Sequence, residues 1–264
     1  MKRIACLLSF VLCLALTAGC APTESNADPK ADLPEELIVG LDDTFAPMGF
    51  RDEAGNLVGF DIDLATAVGE ELGVKITFQP IDWDAKEMEL SSRNIDCIWN
   101  GMSRTPEREE SMTLSKNYLN NRIVIMTNPD VQITSKEQLA DFKVGTQAES
   151  SALEVVQADP IYASIEANLS EYRTYDECIL DMQAGRIDVM IVDEVLGQYK
   201  NSKLATKLNV ASVDFGDDYY VIGFRKEDTA LCAQVEEALR AVKASGKGAE
   251  IGNAWFGEDL LLDI

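Results

Sequence analysis

Apolar and polar residues fall in blocks along this chain, and the period changes wherever a new element should begin. Leu37-Ile38-Val39-Gly40 is a continuous apolar run of strand length, as in a buried strand. Leu64, Ala67, Val68 and Leu72 then share one helix face, with Asp61 placed to cap the start and Gly73 to stop the end. The period next drops to two, because Val74, Ile76 and Phe78 alternate with Lys75, Thr77 and Gln79 until Pro80 ends the strand. A short helix and the strand Cys97-Ile98-Trp99 follow. Ser135 with Gln138 has the spacing of a capping box opening a helix, and Lys143-Val144-Gly145-Thr146 and Val189-Met190-Ile191-Val192 read as buried strands. Such alternation predicts an α/β fold on a mainly parallel sheet.

Arg93-Asn94-Ile95-Asp96-Cys97-Ile98 and Gly185-Arg186-Ile187-Asp188-Val189-Met190 repeat one layout, a helix end, Ile-Asp, then a strand. They lie in different halves of the chain and hint at two similar lobes. A common way into any strand would leave the same trace.

The N-terminus follows other rules. Lys2 and Arg3 precede an uncharged run from Ile4 to Ala18, the charged start and short apolar core of a secretory signal, too short for a stable membrane span. Leu16-Thr17-Ala18-Gly19-Cys20 resembles a bacterial lipobox, so residues 1–19 are expected to be a signal peptide and Cys20 a lipidated N-terminus. Residues 20–33 have almost no apolar content, as expected of a flexible tether. Cys97, Cys178 and Cys232 remain besides the anchor, without metal-ligand spacing, and are expected to be buried free thiols.

The mature chain, about 245 residues, is long enough for two small lobes with their own cores. Its net charge of −23 repels a phosphate backbone, which excludes nucleic acid as a partner. Histidine is absent, so the commonest general base, the Ser-His and Cys-His nucleophile systems and the commonest metal ligand are all missing. No cofactor or metal is expected.

The densest chemistry sits in Trp99-Asn100-Gly101-Met102-Ser103-Arg104-Thr105-Pro106-Glu107-Arg108. An arginine just past a strand end can grip a carboxylate through two parallel hydrogen bonds, a geometry lysine cannot copy. Every free amino acid carries such a carboxylate. Alternatively, Arg108 forms a surface salt bridge with Glu107, Glu109 or Glu110.

Together with Val39 to Pro47 and Gly59-Phe60-Asp61-Ile62-Asp63-Leu64, this segment resembles the polar amino-acid-binding family of ABC-importer solute receptors. Val144-Gly145-Thr146-Gln147, Ala184-Gly185-Arg186-Ile187-Asp188 and Ile191-Val192-Asp193-Glu194 resemble its later motifs, and the likeness runs from about Leu37 to Phe256. The resemblance implies a type II periplasmic-binding fold. Lobe one would be residues 34–121 with 219–264 and lobe two residues 122–218, hinged near Leu119 to Asn121 and Asp217 to Tyr219.

By the same resemblance, Arg108 takes the ligand carboxylate with the backbone amides of Ser103 and Ser151, the latter at a helix start suited to anions. Asp193 takes the ammonium with the Gly101 carbonyl and the Ser103 hydroxyl; alternatively Asp193 caps the helix beginning near Glu194. Phe45 and Trp83 would sandwich the ligand side chain, although either ring alone would be ordinary core. Asp42 sits where relatives accepting lysine, arginine or ornithine place a carboxylate, but it could equally bond a neutral amide. Asn100 replaces a small hydroxyl residue, which leaves glutamine or cystine open. Gln147 is expected to face the pocket from lobe two. Glu149 stands where glycine is usual, so a positive φ there would strain it and bring the contacts of Ser150 and Ser151 into question.

The expected function is capture of a free polar or basic amino acid for the permease of an ABC importer, by a monomer held to the outer face of the cell membrane through lipid. It is not expected to be an enzyme. The alternative is an arogenate or prephenate dehydratase on the same fold, with Asp42, Asp193 or a nearby glutamate as general acid. Because the sequence ends at Ile264 with no following membrane span or signalling module, a kinase or channel sensor is disfavoured.

Overall fold

The computed structural model describes residues 33–264. The expected signal peptide, Cys20 and nearly all of the tether lie outside the described residues.

The first part of the chain supplies β1 (Glu36–Leu41), β2 (Thr44–Phe45), β3 (Gly49–Arg51), β4 (Leu57–Val58), α1 (Phe60–Leu72), β5 (Lys75–Pro80), α2 (Lys86–Ser91), β6 (Cys97–Ser103), α3 (Pro106–Ser111) and β7 (Met112–Leu114). A long strand, β8 (Leu119–Thr127), leads into β9 (Val144–Gln147), α4 (Ser151–Ala158), α5 (Tyr162–Ile165), β10 (Leu169–Tyr172), α6 (Tyr175–Gln183), β11 (Val189–Asp193) and α7 (Glu194–Lys203). The longest strand, β12 (Asn209–Arg225), returns to α8 (Thr229–Ala244) and α9 (Lys247–Phe256).

The result is two α/β lobes joined by β8 and β12. The main sheet runs β10-β9-β11-β8-β12-β6-β1-β5, with β7 attached to β12. It is mixed, which corrects the expectation of a mainly parallel sheet. Within each lobe helix-linked strands are parallel, as β1 is with β5 and β6, and β9 with β10 and β11. The middle is antiparallel because β8 leaves lobe one and β12 comes back, so the two crossing strands must run in opposite directions. Sequence patterning does not encode which distant strands will meet.

Period-two patterning explains the core. Ile123 and Ile125 of β8 and Val189 and Ile191 of β11 pack into one cluster with α4 and α5, while Val124, Met126, Met190 and Val192 pack into another. Neighbouring side chains point to opposite faces, so strands buried on both sides read as unbroken apolar runs.

The faint repeat is structural. Arg93 and Gly185 both take left-handed backbone, with φ of 61° and 68°. Asn94 N–H bonds Glu89 O at 3.0 Å, as Arg186 N–H bonds Asp181 O at 2.9 Å. Asp96 then accepts from Ile38 N at 2.9 Å, as Asp188 accepts from Lys143 N at 3.0 Å. Each lobe uses the same turn to seat one parallel strand beside another.

Two local expectations need correction. The N-cap of α1 is Gly59 at φ 149°, not Asp61. A Cβ on Gly59 would lie 2.1 Å from Met48 O, so close backbone packing fixes the start and carries Asp61 inward. Ser135 and Gln138 do form the expected box, with Gln138 Oε1 accepting from Ser135 N at 3.1 Å, but they open a 3₁₀ turn (Lys136–Asp141) rather than an α-helix. Cys97, Cys178 and Cys232 are buried free thiols. Among the described residues no helix is long and apolar enough to cross a membrane.

Candidate functional site

Near its end, β6 carries a turn-like glycine bulge that builds the site. Gly101 has φ 56°, and a Cβ there would lie 3.0 Å from Met48, Phe45 and Tyr220 side chains, so only glycine fits without displacement. Asp61 holds the turn: its Oδ2 accepts from Gly101 N at 2.7 Å and from Tyr118 Oη at 2.9 Å. Burial pushes the Asp61 carboxyl up to about 7, only partly offset by these donors.

From this turn a small cleft opens between the lobes. It contains about 210 Å³ of empty space and is lined by nine residues: Phe45, Trp83, Gly101, Ser103 and Arg108 from one side, Gln147, Ser150, Ser151 and Asp193 from the other. All nine are residues to which the sequence points. Asp42 and Asn100 stand behind this lining. Asp42 is 5% exposed, and its carboxylate is occupied by Thr44 N at 2.9 Å, Thr44 Oγ1 at 2.7 Å and Gln147 Nε2 at 2.9 Å. Burial raises its pKa above the usual carboxylate range. Asn100 Oδ1 accepts from Asp42 N at 2.9 Å and fastens β1 to β6.

One end of the cleft is cationic. Arg108 is 2% exposed; Thr105, the N-cap of α3, accepts from its backbone N. Its guanidinium donates to Ser103 O at 2.9 Å and Glu149 O at 3.2 Å, and pairs with Glu154 at 3.3 Å. The alternative of a local surface pair is not observed: Glu109 pairs with Arg104 instead. Beside Arg108 the α4 N-terminus presents Ser150 as N-cap, its Oγ accepting from Leu153 N at 3.1 Å and donating to Gln147 O at 2.7 Å.

Glu149 does take the strained conformation, at φ 54°. Its carbonyl receives three donors from the opposite lobe, Trp83 Nε1 at 3.2 Å, Lys86 Nζ at 3.3 Å and Arg108 Nη2 at 3.2 Å. Nothing in the sequence marks Lys86 as part of the site. Burial, and then the neighbouring Arg108 charge, lower its pKa to about 8.

The other end is acidic. Asp193 begins α7, yet its side chain makes no cap bond. Asn121 Oδ1 takes that position, accepting from Val195 N at 3.3 Å, while Asn121 Nδ2 and Tyr220 Oη both donate to Asp193 Oδ1, at 2.8 and 3.0 Å. Asp218 lies beside it, accepting from Asn121 Nδ2 and Ser103 Oγ at 2.7 Å each. Burial and then the Asp218 charge push Asp193 up to about 7. Asp218, Asn121, Tyr220 and Lys86 join the site without being among the residues expected from the sequence. A signal for two of them existed, since Asp217 and Tyr219 are exposed while Asp218 and Tyr220 are buried, a strand alternation that puts a carboxylate on the inner face of β12.

The lobes are closed on each other. Ser103 Oγ meets Ser151 Oγ at 2.8 Å, Arg173 meets Asp82 at 2.8 Å, and the Phe45 and Tyr175 rings lie 6.2 Å apart. Chemically, the cleft offers cationic donors at one end, carboxylates at the other and aromatic walls between.

Comparison with known proteins agrees with this geometry. The family described as bacterial extracellular solute-binding proteins, family 3, matches residues 37–258. The L-cystine-binding protein TcyA of Bacillus subtilis (strain 168) is 27% identical over 98% of this chain and 99% of its own. The lysine/arginine/ornithine-binding periplasmic protein of Escherichia coli (strain K12) is 28% identical over 93% of this chain and 96% of its own. An ABC uptake transporter substrate binding protein from Streptococcus pneumoniae, solved with bound histidine, superposes with a TM-score of 0.81 at 38% identity, covering 87% of this chain and 95% of that one. These relatives are binding proteins by name. With the match running through both lobes and both crossing strands, this chain belongs to the bacterial extracellular solute-binding proteins of family 3.

Proposed function

We propose that this protein captures one free polar or basic amino acid between its lobes and delivers it to the permease of an ABC importer. The observation that carries this reading is the opposed polarity of one small cleft, with Arg108 and the α4 N-terminus facing Asp193 across aromatic walls. An amino acid is a zwitterion, and this arrangement complements both of its charges.

In this reading Arg108 and the amides of Ser103 and Ser151 take the carboxylate, and Asp193, Ser103 and the Gly101 carbonyl take the ammonium. Phe45 and Trp83 flank the side chain, with Gln147 and Ser150 closing the far wall. A basic side chain would have to share the Asp42 carboxylate with Gln147, whereas a neutral amide can bond Gln147 where it stands. Residues 34–121 with 219–264 form lobe one and 122–218 lobe two, and the protein works as a monomer anchored outside the cell membrane through Cys20 after loss of residues 1–19. Calorimetric titration of the mature protein, with Cys20 replaced, against the common amino acids plus ornithine and cystine should show one saturable site. No binding across that panel refutes the receptor. The raised pKa of Asp193 would suit a general acid, so turnover of arogenate or prephenate is the assay that separates the dehydratase alternative.

A further inference from the structure

Asp193 and Asp218 come together at one amide. Asn121 Nδ2 donates to Asp193 Oδ1 at 2.8 Å and to Asp218 Oδ2 at 2.7 Å, one hydrogen to each. Both acids are buried, at 3% and 8% exposure, and neither forms an ion pair among the described residues. The cation that faces them is Arg108 of α3, and its guanidinium is turned to Ser103 O, Glu149 O and Glu154. The other titratable groups around the pair are Tyr220 of β12, Tyr175 of α6 and Tyr118 ahead of β8, whose pKa values burial raises, so all three are neutral phenols. Asp61 adds a further acid on the far side of Gly101, and Lys86 bonds the Glu149 carbonyl.

Ser103 links this pair to the cleft. With Asp218 Oδ2 as the acceptor its hydroxyl donates there at 2.7 Å, and the 2.8 Å contact with Ser151 then runs from Ser151 to Ser103. Ser103 Oγ therefore faces the cleft as an acceptor. Building on the amino-acid reading above, we infer that Asp218 is the second carboxylate of the ammonium end, that it orients Ser103 as an acceptor for the bound cation, and that the Asp193–Asp218 pair releases a proton to solvent when that cation arrives.

The physical reason is charge. Two buried carboxylates within reach of one atom cannot both ionise cheaply, so the empty pair holds a proton. The raised pKa of each acid accords with this. A ligand ammonium supplies the missing positive charge and the proton leaves. The empty protein then binds more protons than the occupied one, so affinity rises with pH until the pair is fully ionised. A ligand without a cationic amine, such as an N-acetylated amino acid, leaves the pair protonated and is rejected.

The test is titration of the mature protein with L-arginine, L-lysine, L-histidine and L-glutamine in two buffers of different protonation enthalpy, between about pH 6 and pH 8. Whichever binds should release up to about one proton per site near pH 7, fading at the upper end, with affinity rising by no more than about tenfold per pH unit. Asp218→Asn should weaken binding without abolishing saturation, because the ammonium end loses one carboxylate, and should lose the release. Buffer-independent heats in the unaltered protein overturn the inference and leave the receptor standing, and that measurement holds even if the variant fails to fold. Unchanged release in Asp218→Asn also overturns it. Absence of saturable binding by every amino acid overturns the receptor reading and the inference together.

Discussion

Replacing Glu149 with glycine should make this protein more stable. The residue sits at φ 54°, where a side chain crowds the following carbonyl at a cost of about 1–2 kcal/mol. Glycine escapes that cost but brings extra freedom to the unfolded chain, which returns about 0.5–1 kcal/mol. The net gain is about 0.5–1 kcal/mol, worth about 1–4 °C in the unfolding midpoint of a chain this long. The carboxylate contributes little, because the side chain is exposed. Glu149→Ala therefore separates the causes: it keeps the strained backbone, removes the charge, and should move the midpoint hardly at all. Ala148→Gly is the neighbouring control, at a position without positive φ, and should destabilise. Thermal unfolding of the three variants without ligand reads all of this. Stabilisation by alanine equal to that by glycine would show that charge rather than backbone strain matters, and destabilisation by Glu149→Gly would refute the argument outright.

Arg108→Met should weaken amino-acid binding by about 2–5 kcal/mol, since a buried charge loses its partner, and Arg108→Lys should recover only part of it because one ammonium cannot make both bonds; a calorimetric loss below about 1 kcal/mol would mean an exposed-type contact. Asp61 has a folded pKa of about 7, above its unfolded value, so its contribution to stability is fully present at low pH and is lost as pH rises from about 4 toward 7. Asp61→Asn should flatten that part of the stability profile in denaturant titrations, and an unchanged slope would place the titration elsewhere. Ile191→Ala, fully buried in the lobe-two cluster, should cost about 2–5 kcal/mol by the same assay.

What the sequence made legible was local. The β1, β6, β9 and β11 runs depend on neighbours within a few positions, and each is where the pattern puts it, whereas the strain at Glu149 is legible only through the resemblance, which has glycine there. What it hid depends on long separations. Asp42 is bonded by Gln147, 105 positions away, and Asp218 by Asn121, 97 away, and no periodicity reports such pairings. Asp61 looked like a helix cap because Asp near a helix start usually is one, but the close approach of Gly59 to Met48 moved the cap back and turned the carboxylate toward Gly101.

The double crossing of the chain sets an order of completion. Every strand and helix of the β9-to-α7 lobe lies between the two crossing strands, whereas the other lobe is in two pieces, and α8 and α9 pack on α1 only after β12 has returned. A chain that emerges N-terminus first can finish the inner lobe while the outer one still lacks its last part. Tyr220 and Asp218 arrive with that last part, so the acidic end of the cleft exists only once nearly the whole chain has emerged. Ligand capture thus reports that both lobes are whole, and a truncated product is left unable to compete for the solute.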